Sequence, residues 1–499
     1  MHYLLLLTIF VISTCGLIYE LVAGTLASYL LGDSVTQFST IIGTYLFSMG
    51  IGSYLSKFIR TKLLERFIQI EIITGIVGGL SSAIMFVFFS FGAYFLVVLY
   101  GLIAITGIFV GMEIPIIMRV LKQKVSFKDL VSYVFTYDYV GALLASILFP
   151  LILIPKLNII RTSVLFGLFN IGLALYLVYY FKKEIKSQMK YWTQGIIASF
   201  ALLIVFVFSN SITRLSESEI FGETIIYSKQ TSYQKIAITR SNDHYSLYLN
   251  NHLQFNSKDE YRYHEALVHP VMSSAPFVKN VLVLGGGDGF AVREILKYNQ
   301  VQNITLIDLD PNLTKLFKNH KILSKLNNGS FSNKKVHVVN SDAFRWLREV
   351  NKKKYDVIII DFPDPSNYSV GKLYTLSFFK ALQQAMHFNT KVVMQSTSPL
   401  NAKESFWCVN NTIRETKMST VPYHCYVPSF GEWGFIFFGQ NTDALYKKRL
   451  PKELKYYSEK EFTLMRNFPK DMYFKSNVVN RLENQILISL FEREWGDVY

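Results

Sequence analysis

Long apolar stretches fill the first 210 residues of the chain and then stop. Each has close to the 20 apolar residues that a helix needs to cross a hydrocarbon layer of about 30 Å. The stretch nearest the N-terminus lacks a preceding basic segment and continues through Leu21–Leu31, which favours a retained helix over a cleaved signal peptide. The pattern predicts an all-α transmembrane bundle of about seven helices. The predicted spans are centred in 4–31, 38–56, 69–91, 94–118, 131–154, 162–181 and 192–209.

Beyond residue 210 the apolar spacing becomes that of strands. Residues 225–227, 234–239 and 245–249 alternate or are rich in β-forming residues, with turn residues between them. Short apolar runs then alternate with helical patterns, which predicts a doubly wound, Rossmann-like α/β sheet. These runs are 281–284, 304–307, 336–339, 357–360, 392–394 and 435–438. The predicted domains are a transmembrane domain (1–210), a small antiparallel β subdomain (211–275), a Rossmann-like domain (276–445) and a helical C-terminal extension (446–499).

The charge distribution supports the membrane prediction. Only 17% of residues are charged, whereas soluble proteins carry about 25%. The net charge is +15, but in the first half the cations cluster between apolar stretches, at 57–66, 119–128 and 182–190. That placement is typical of cytoplasmic loops and argues against nucleic-acid binding. Three cysteines without a CxxC spacing indicate neither a disulfide framework nor a zinc site.

Four acidic residues lie within or near the predicted spans: Glu20, Glu71, Glu113 and Asp138. Charged groups in a bilayer are costly, so such residues face the bundle interior and are functional candidates. The alternative is that they hydrogen-bond neighbouring helices and fix their packing. Packing is the favoured interpretation for Glu71, which is close to the first basic cluster, and both interpretations stay open for the other three.

A glycine-rich turn follows the first strand of the α/β pattern, in the sequence Val281–Phe290. Glycines let a ligand approach the backbone closely. Asp308 ends the next strand, where a carboxylate can hold ribose hydroxyls. Asp342 follows the third strand and is interpreted either as an adenine contact or as a helix N-cap. These features predict an adenosine-type ligand and fit both NAD and S-adenosylmethionine enzymes.

Two further acids follow the strand at 357–360. Asp361 lies at its carboxyl end, the ligand edge of an open α/β sheet, and Asp364 lies in a proline-bounded loop. With Asp288 of the glycine turn they predict an acidic pocket suited to a cationic amine. An alkyl ammonium titrates near 10.4, so it needs a base before it can act as a nucleophile, and a carboxylate can take the proton. Two loop-capping acids are the alternative.

These motifs together resemble the polyamine aminopropyltransferases, whose best-known member is spermidine synthase. The resemblance covers about residues 225–440 and five separated motifs in family order, including Leu253-Gln254 and Asp259–Glu265. The apolar spans and Val427–Phe435 resemble the bacterial branch that carries an N-terminal membrane domain.

The resemblance implies transfer of an aminopropyl group from decarboxylated S-adenosylmethionine to putrescine, giving spermidine and methylthioadenosine. The donor is a sulfonium co-substrate, so no cofactor and no metal are expected. Asp361 would be the proton acceptor. The resemblance assigns Gln234, Asp308, Asp342 and Ala343 to the donor, His264, Asp288 and Asp364 to the polyamine, and Gln254, Tyr263 and Gln395 to supporting positions.

The chain departs from the family pattern at several positions. Asp308 stands where soluble members usually have Glu, Phe290 replaces a small residue, and Ser366–Tyr368 replaces the usual continuation after Asp364-Pro365. The tyrosine-bearing loop near the end is replaced by Pro428–Trp433. These changes preserve the expected donor site and leave the acceptor amine open.

Two other function classes are compatible with the fold. A methyltransferase using S-adenosylmethionine would share the glycine turn but would not need Asp361 and Asp364 beside Asp288. A polyamine transporter or sensor could use a synthase-like domain for binding alone. The expected partners are the small-molecule substrates and the lipid bilayer, with a second copy of the chain as a further candidate.

The location of the enzyme domain is predicted from two conflicting arguments. The expected donor is a cytosolic metabolite, which favours a multi-pass protein of the cell membrane with its catalytic domain in the cytoplasm. Seven full crossings with the three basic clusters inside would instead place that domain outside. We adopt the cytoplasmic prediction because of substrate supply.

Overall fold

The computed structural model describes residues 2–31, 35–89, 94–122, 127–349, 353–442 and 450–496. The chain forms two compact units, Met1–Ile225 and Ile226–Tyr499. The first unit is helical and the second contains two sheets. The boundary follows the last long apolar helix, which continues beyond residue 210.

Seven helices form the described part of the first unit. They are α1 (His2–Leu31), α2 (Val35–Ser56), α3 (Leu63–Phe89), α4 (Phe95–Leu121), α5 (Phe127–Leu148), α6 (Ile154–Tyr180) and α7 (Gln188–Phe221), with a short π-helical segment (Phe149–Leu153) between α5 and α6. Within the described residues, five helical stretches are long and apolar enough to cross a membrane: Leu6–Ser28, Leu63–Phe89, Phe95–Leu121, Lys128–Tyr180 and Gln188–Thr213.

The helices differ in detail from the predicted spans. Lys128–Tyr180 covers 53 residues and contains both α5 and α6. Its backbone leaves helical geometry at Asn158, where φ is 69°, so the predicted division into two spans has a structural counterpart. The helix α2 forms as predicted but is not among the five apolar stretches, and α7 extends well past residue 209. Hydropathy marks only the apolar part of a helix, whereas backbone hydrogen bonding continues into polar residues.

Polar contacts join several of these helices. The Arg119 guanidinium donates to the Ser56 carbonyl at 2.7 Å and to the Ile59 carbonyl at 2.8 Å, so two of the predicted basic clusters meet at one end of the bundle. The Ser13 hydroxyl donates to the Asp138 carboxylate, which links α1 to α5. Asp138 therefore has the packing contact that one of its two interpretations predicts.

The second unit begins with a four-stranded antiparallel sheet in the order β1-β2-β3-β4. Its strands are β1 (Thr224–Gln230), β2 (Lys235–Ser241), β3 (His244–Leu249) and β4 (His252–Asn256). Asn250 and Asn251 both have positive φ, so they form the tight turn between β3 and β4. The sequence pattern marked the first three strands and missed β4. Helix α8 (Glu260–Ser274) then leads towards the larger sheet.

The larger sheet has seven strands in the order β10-β11-β9-β8-β5-β6-β7. Its strands are β5 (Asn280–Gly285), β6 (Asn303–Asp308), β7 (Val336–Asn340), β8 (Tyr355–Asp361), β9 (Met386–Gln395), β10 (Ser419–Val427) and β11 (Gly431–Gly439). β5 to β9 pair in parallel, whereas β10 and β11 form an antiparallel hairpin at one edge. The prediction of a Rossmann-like α/β sheet is confirmed, and β10 is the strand that it missed.

Alternate residues of the central strands pack into two separate hydrophobic cores, one on each face of the sheet. Val283 and Ile359 belong to one apolar cluster, whereas Leu284 and Ile360 belong to the other. Successive strand residues point to opposite faces, so a strand covered on both sides must be apolar throughout. The flanking helices are α9 (Phe290–Leu296), α10 (Pro311–Asn319), α11 (Leu323–Leu326), α12 (Ala343–Glu349), α13 (Tyr368–Gly371), α14 (Leu376–Leu382) and α15 (Lys403–Arg414).

The C-terminal segment is less helical than predicted. Its described residues, 450–496, contain the α-helices α16 (Glu459–Met465) and α17 (Ile486–Gly496), and most of the residues between them are irregular. The buried Glu265 carboxylate of α8 accepts the backbone N–H groups of Lys455, Tyr456 and Tyr457 at 2.8–2.9 Å. The segment thus belongs to the same compact unit as the sheet.

Candidate active site

The glycine turn and Asp361 meet at the carboxyl edge of the sheet. Gly285 pairs with Asp361 across β5 and β8, and the Gly286 N–H donates to the Asp361 carbonyl at 3.1 Å. A Cβ atom at Gly285 would lie 2.2 Å from that carbonyl, and one at Gly287 would lie 2.6 Å from Oδ2 of Asp308. No side chain fits in either gap, so glycine is required for the backbone to pass between the two acids.

The Asp361 carboxylate is held by a tyrosine of α8. The Tyr263 hydroxyl donates to Oδ1 of Asp361 at 2.6 Å, and this tyrosine is nearly fully buried. Burial raises the pKa of Asp361 above its ordinary value, while the nearby His264 and the Tyr263 hydrogen bond act in the opposite direction. A buried carboxylate with a raised pKa is a better proton acceptor than an ordinary one because its pKa is closer to neutral pH.

Asp364 is held through β9. Gln395, the last residue of that strand, donates from Nε2 to Oδ1 of Asp364 at 3.4 Å, and the Thr397 hydroxyl donates to Oδ2 at 3.3 Å. Burial raises the pKa of Asp364 to about 7, and these two hydrogen bonds partly oppose the rise.

Gln395 joins the acidic loop to the edge hairpin. Its Nε2 also donates to the Phe362 carbonyl and to the Tyr374 hydroxyl, the latter at 3.0 Å. Its Oε1 accepts from Nε1 of Trp433 at 3.2 Å. Because both ends of this amide are occupied by protein groups, Gln395 acts on Asp364 rather than extending freely into the site.

A charged chain lies behind Asp361. The Arg293 guanidinium contacts both carboxylate oxygens of Glu260 at 2.9 Å, and Glu260 Oε2 accepts from Nδ1 of His264 at 2.8 Å. The same Nδ1 lies 2.9 Å from the Glu260 carbonyl, which can only accept, so Nδ1 carries a proton. Burial alone would lower the pKa of His264, but the hydrogen bond and charge of Glu260 raise it to about 9. The imidazole is therefore positively charged at neutral pH.

Two more acids surround the glycine turn. Asp288 accepts the Phe290 N–H at 3.0 Å, and Asp308 accepts the Asp310 N–H at 2.9 Å. Burial raises the pKa of Asp288 to about 6; the nearby His264 opposes the rise and Asp361 adds to it. Burial raises the pKa of Asp308 to about 7. Asp308 lies beside Gly287, and Asp288 directly follows that glycine in the turn.

The other predicted donor residues lie around this edge. Gln234 donates to Oδ2 of Asp310 at 3.3 Å and so joins the small sheet to the segment after Asp308. Asp342 precedes α12, whose first residue is Ala343, and accepts the Arg345 N–H at 3.0 Å as the N-cap interpretation predicts. Its other oxygen pairs with Nζ of Lys372 at 2.5 Å. Burial would raise the pKa of Asp342, but this lysine and the backbone N–H groups lower it.

Comparison with known proteins identifies the family. Residues 260–449 match the spermine/spermidine synthase domain. A polyamine aminopropyltransferase of Leptospira interrogans is 50% identical over 99% of this chain and 99% of its own. The chain belongs to the polyamine aminopropyltransferase family. Polyamine aminopropyltransferase 2 of Ralstonia nicotianae is 46% identical over 99% of this chain and 98% of its own. A spermidine synthase solved with the transition-state analogue AdoDATO is 26% identical, covers 55% of this chain and 88% of its own, and has a TM-score of 0.46.

The Pro428–Trp433 segment of this aminopropyltransferase is fixed beside Tyr263. Asp259 accepts from the backbone N–H and the hydroxyl of Ser429 at 2.7 and 2.8 Å. Phe430 of the same loop packs edge-on against Tyr263, with ring centroids 6.0 Å apart. This segment is therefore anchored beside the helix that carries His264.

Three residues that hold the site of this aminopropyltransferase had no role assigned from sequence: Glu260, which lies in the Asp259–Glu265 motif, Arg293 and Tyr374. Glu260 and His264 are four residues apart on a helix, a spacing that could have revealed their contact. No comparable spacing marks Arg293 or Tyr374. Conversely, Gln254 was expected near the site, and its side chain donates to the His252 carbonyl within β4.

Proposed function

We propose that this polyamine aminopropyltransferase transfers the aminopropyl group of decarboxylated S-adenosylmethionine to putrescine, releasing spermidine and methylthioadenosine. The observation that carries the proposal is the Asp361 carboxylate, oriented by Tyr263 at 2.6 Å and adjacent to the glycine turn. A base fixed at the edge of an adenosine-type pocket suits an amine nucleophile and an adenosyl sulfonium donor.

In the proposed reaction the putrescine nitrogen attacks the aminopropyl carbon bound to sulfur. The new N–C bond forms as the C–S bond breaks, and methylthioadenosine leaves with the electron pair. The proton lost by the ammonium goes to Asp361. Asp364 and Asp288 bind the amine chain, and Gln395 positions Asp364 through the hydrogen bonds described above.

For the donor, we propose that Asp308 binds the ribose beside Gly287, while Asp342 and Ala343 contact the adenine. Gln234 acts through Asp310. Asp342 can accept a base amino group only if its pairing with Lys372 leaves one lone pair available, and a carboxylate has about four acceptor positions.

We propose that His264 does not bind the amine as Asp288 and Asp364 do. Its charge offsets those of Asp288 and Asp361 in the substrate-free site, because Glu260 raises the pKa of His264 to about 9 and so keeps both ring nitrogens protonated. An imidazolium does not attract an ammonium, so His264 sets the ionisation of the acids that do.

The test is an assay of purified full-length protein with decarboxylated S-adenosylmethionine and a panel of amines. We expect methylthioadenosine release that requires an aliphatic diamine and yields an aminopropylated product. Methyl transfer from S-adenosylmethionine without such a product would instead favour a methyltransferase. Diamine binding without turnover of any donor would favour a transporter or sensor.

We also propose that the helical unit lies in the cell membrane and that the catalytic unit faces the cytoplasm. The five apolar stretches support the first statement, and supply of a cytosolic donor supports the second. A reporter that is active only in the cytoplasm, fused after Tyr499, tests the orientation. An expressed but silent fusion would place the catalytic unit on the other side.

A further inference from the structure

A group of polar side chains is enclosed within the helical unit. Glu71 and Thr74 of α3, Glu113 of α4, Asn170 of α6 and Tyr19 of α1 have exposed fractions between 0% and 2%. We call these five residues the buried polar cluster. The favoured sequence interpretation of Glu71, a hydrogen bond to a neighbouring helix, is wrong for the described residues, none of which hydrogen-bonds to either of its carboxylate oxygens.

The members come from four helices, and those of α1, α4 and α6 lie against one face of α3. Glu71, Thr74 and Gly78 are spaced by three and four residues, so they lie on the same face of that helix. A Cβ atom at Gly78 would meet the Tyr19 ring at 2.6 Å. One at Gly75, which follows Thr74, would lie 3.3 Å from Cβ of Asn170. These glycines thus allow Tyr19 and Asn170 to approach the turns of α3 that carry the acid.

The second acid completes the group. Glu113 is close enough to Glu71 for their charges to repel, and Thr74 lies beside the Glu113 carboxylate without forming a hydrogen bond of ordinary geometry. The Tyr19 hydroxyl is within electrostatic range of both acids.

Most polar atoms of the cluster are unpartnered. Both atoms of the Asn170 amide, the Tyr19 hydroxyl, the Thr74 hydroxyl and Oε1 of Glu113 have no hydrogen-bond partner within the described residues. Buried polar groups are nearly always hydrogen-bonded, and a buried donor or acceptor without a partner destabilises the fold. No Lys, Arg or His among the described side chains forms an ion pair with either acid. An arrangement this costly is expected where a ligand makes the missing bonds.

We propose that the buried polar cluster binds the ammonium group of an aliphatic amine. An ammonium has three N–H donors and no acceptor, and the cluster offers carboxylate, amide, hydroxyl and phenol oxygens. A metal ion fits less well. Calcium needs six to eight oxygens, and the described residues contain no group of three or more metal-ligating His, Cys, Asp or Glu side chains. The choice of an amine over other cations rests in part on the proposed function, because amines are then the substrates and products of the same chain.

The experiment is equilibrium dialysis of labelled putrescine against full-length protein in lipid nanodiscs, up to millimolar amine. We expect about two amines per chain in the wild type, one in each unit, and about one in the Glu113→Gln variant. Loss of one charged acceptor is expected to weaken the bundle site about 10- to 100-fold. The matched control is Glu65→Gln, an acid on the same helix that accepts from the Tyr191 hydroxyl at 3.2 Å, and it should keep about two.

The outcomes separate this inference from the proposed function. An active wild-type enzyme that binds about one amine per chain would overturn the bundle site and would mean that protons or water satisfy the cluster. Loss of one amine in the Glu65→Gln control as well would also overturn it. If Glu113→Gln does not fold, the number of amines bound per wild-type chain still shows whether the bundle site exists. Aminopropyl transfer should be unchanged in Glu113→Gln, whereas absence of transfer in the wild type would contradict the proposed function alone.

Discussion

The pair of Glu260 and His264 makes the stability of the catalytic unit depend on pH in an identifiable window. Glu260 raises the pKa of His264 from 6.5 to about 9 in the folded protein. A group with a raised folded pKa stabilises the fold below its unfolded pKa, and this stabilisation is lost as pH rises through the folded pKa. The shift corresponds to about 3 kcal/mol at low pH, of which about 2 kcal/mol is lost between about pH 7.5 and 9.5.

The perturbation is Glu260→Gln, which keeps the shape of the side chain and removes its charge. Without that charge, burial lowers the pKa of His264 and only Asp288 and Asp361 still raise it, so we expect the imidazole to lose its proton below this window. Thermal unfolding of the full-length protein measures the effect. Between about pH 7.5 and 9.5 the melting temperature of the wild type should fall by about 4–8 °C relative to that of the variant. The comparison is relative because burial lowers the pKa of Lys235 to about 7, and its titration contributes equally to both proteins in this window.

The window lies above the titration of the acidic groups. Asp288 has a pKa of about 6, and Asp308 and Asp364 have values of about 7, so their contributions are nearly complete by pH 8. The matched control is Glu415→Gln, which breaks a surface ion pair with Arg481 of 3.3 Å and should change stability by less than about 1 kcal/mol. Equal pH dependence in the wild type and in Glu260→Gln would refute the reasoning.

Three further variants test the site through steady-state kinetics. Asp361→Asn should fold and bind donor but lose turnover by about 10²- to 10⁴-fold, and a variant that keeps a tenth of wild-type turnover would rule out the general-base role. Tyr263→Phe should lower turnover about 10-fold and move the acid limb of the pH profile to higher pH, because the Tyr263 hydrogen bond lowers the pKa of Asp361 and its removal lets that pKa rise; an unmoved limb would contradict this. Gly287→Ala should lower kcat/KM for the donor about 100-fold, since the new Cβ would lie 2.6 Å from Asp308, and unchanged donor kinetics would show that the turn does not contact the donor.

The architecture of the second unit could be predicted largely because its central strands are covered on both faces. A strand such as β8 must then be apolar throughout, and its last residue, Asp361, stands out as polar at the ligand edge. The strand β10 was missed because its buried and exposed residues do not alternate regularly and Pro422 lies within it. A proline within an apolar run argues against a strand, but β10 is an edge strand, where proline is tolerated.

The contacts that tune the site were less accessible from sequence. Arg293 lies 33 residues from Glu260 and Gln395 lies 31 from Asp364, so only the folded chain brings each pair together. The same limit applied to Glu71, whose packing role was inferred from nearby basic residues. The fold instead encloses it with Asn170, nearly 100 residues away.

The hydrogen bonds from residues 455–457 to the Glu265 carboxylate limit how far the catalytic unit can be shortened at its C-terminal end. Similarity to the synthase domain ends at residue 449, a natural place to cut. A chain cut there would leave the Glu265 carboxylate, 1% exposed, without any of the three backbone donors that satisfy it. An uncompensated buried charge costs about 3–5 kcal/mol, and it would arise on the residue next to His264. Soluble versions made for crystallisation or inhibitor screening should therefore keep the C-terminal residues and be shortened only at the N-terminal side.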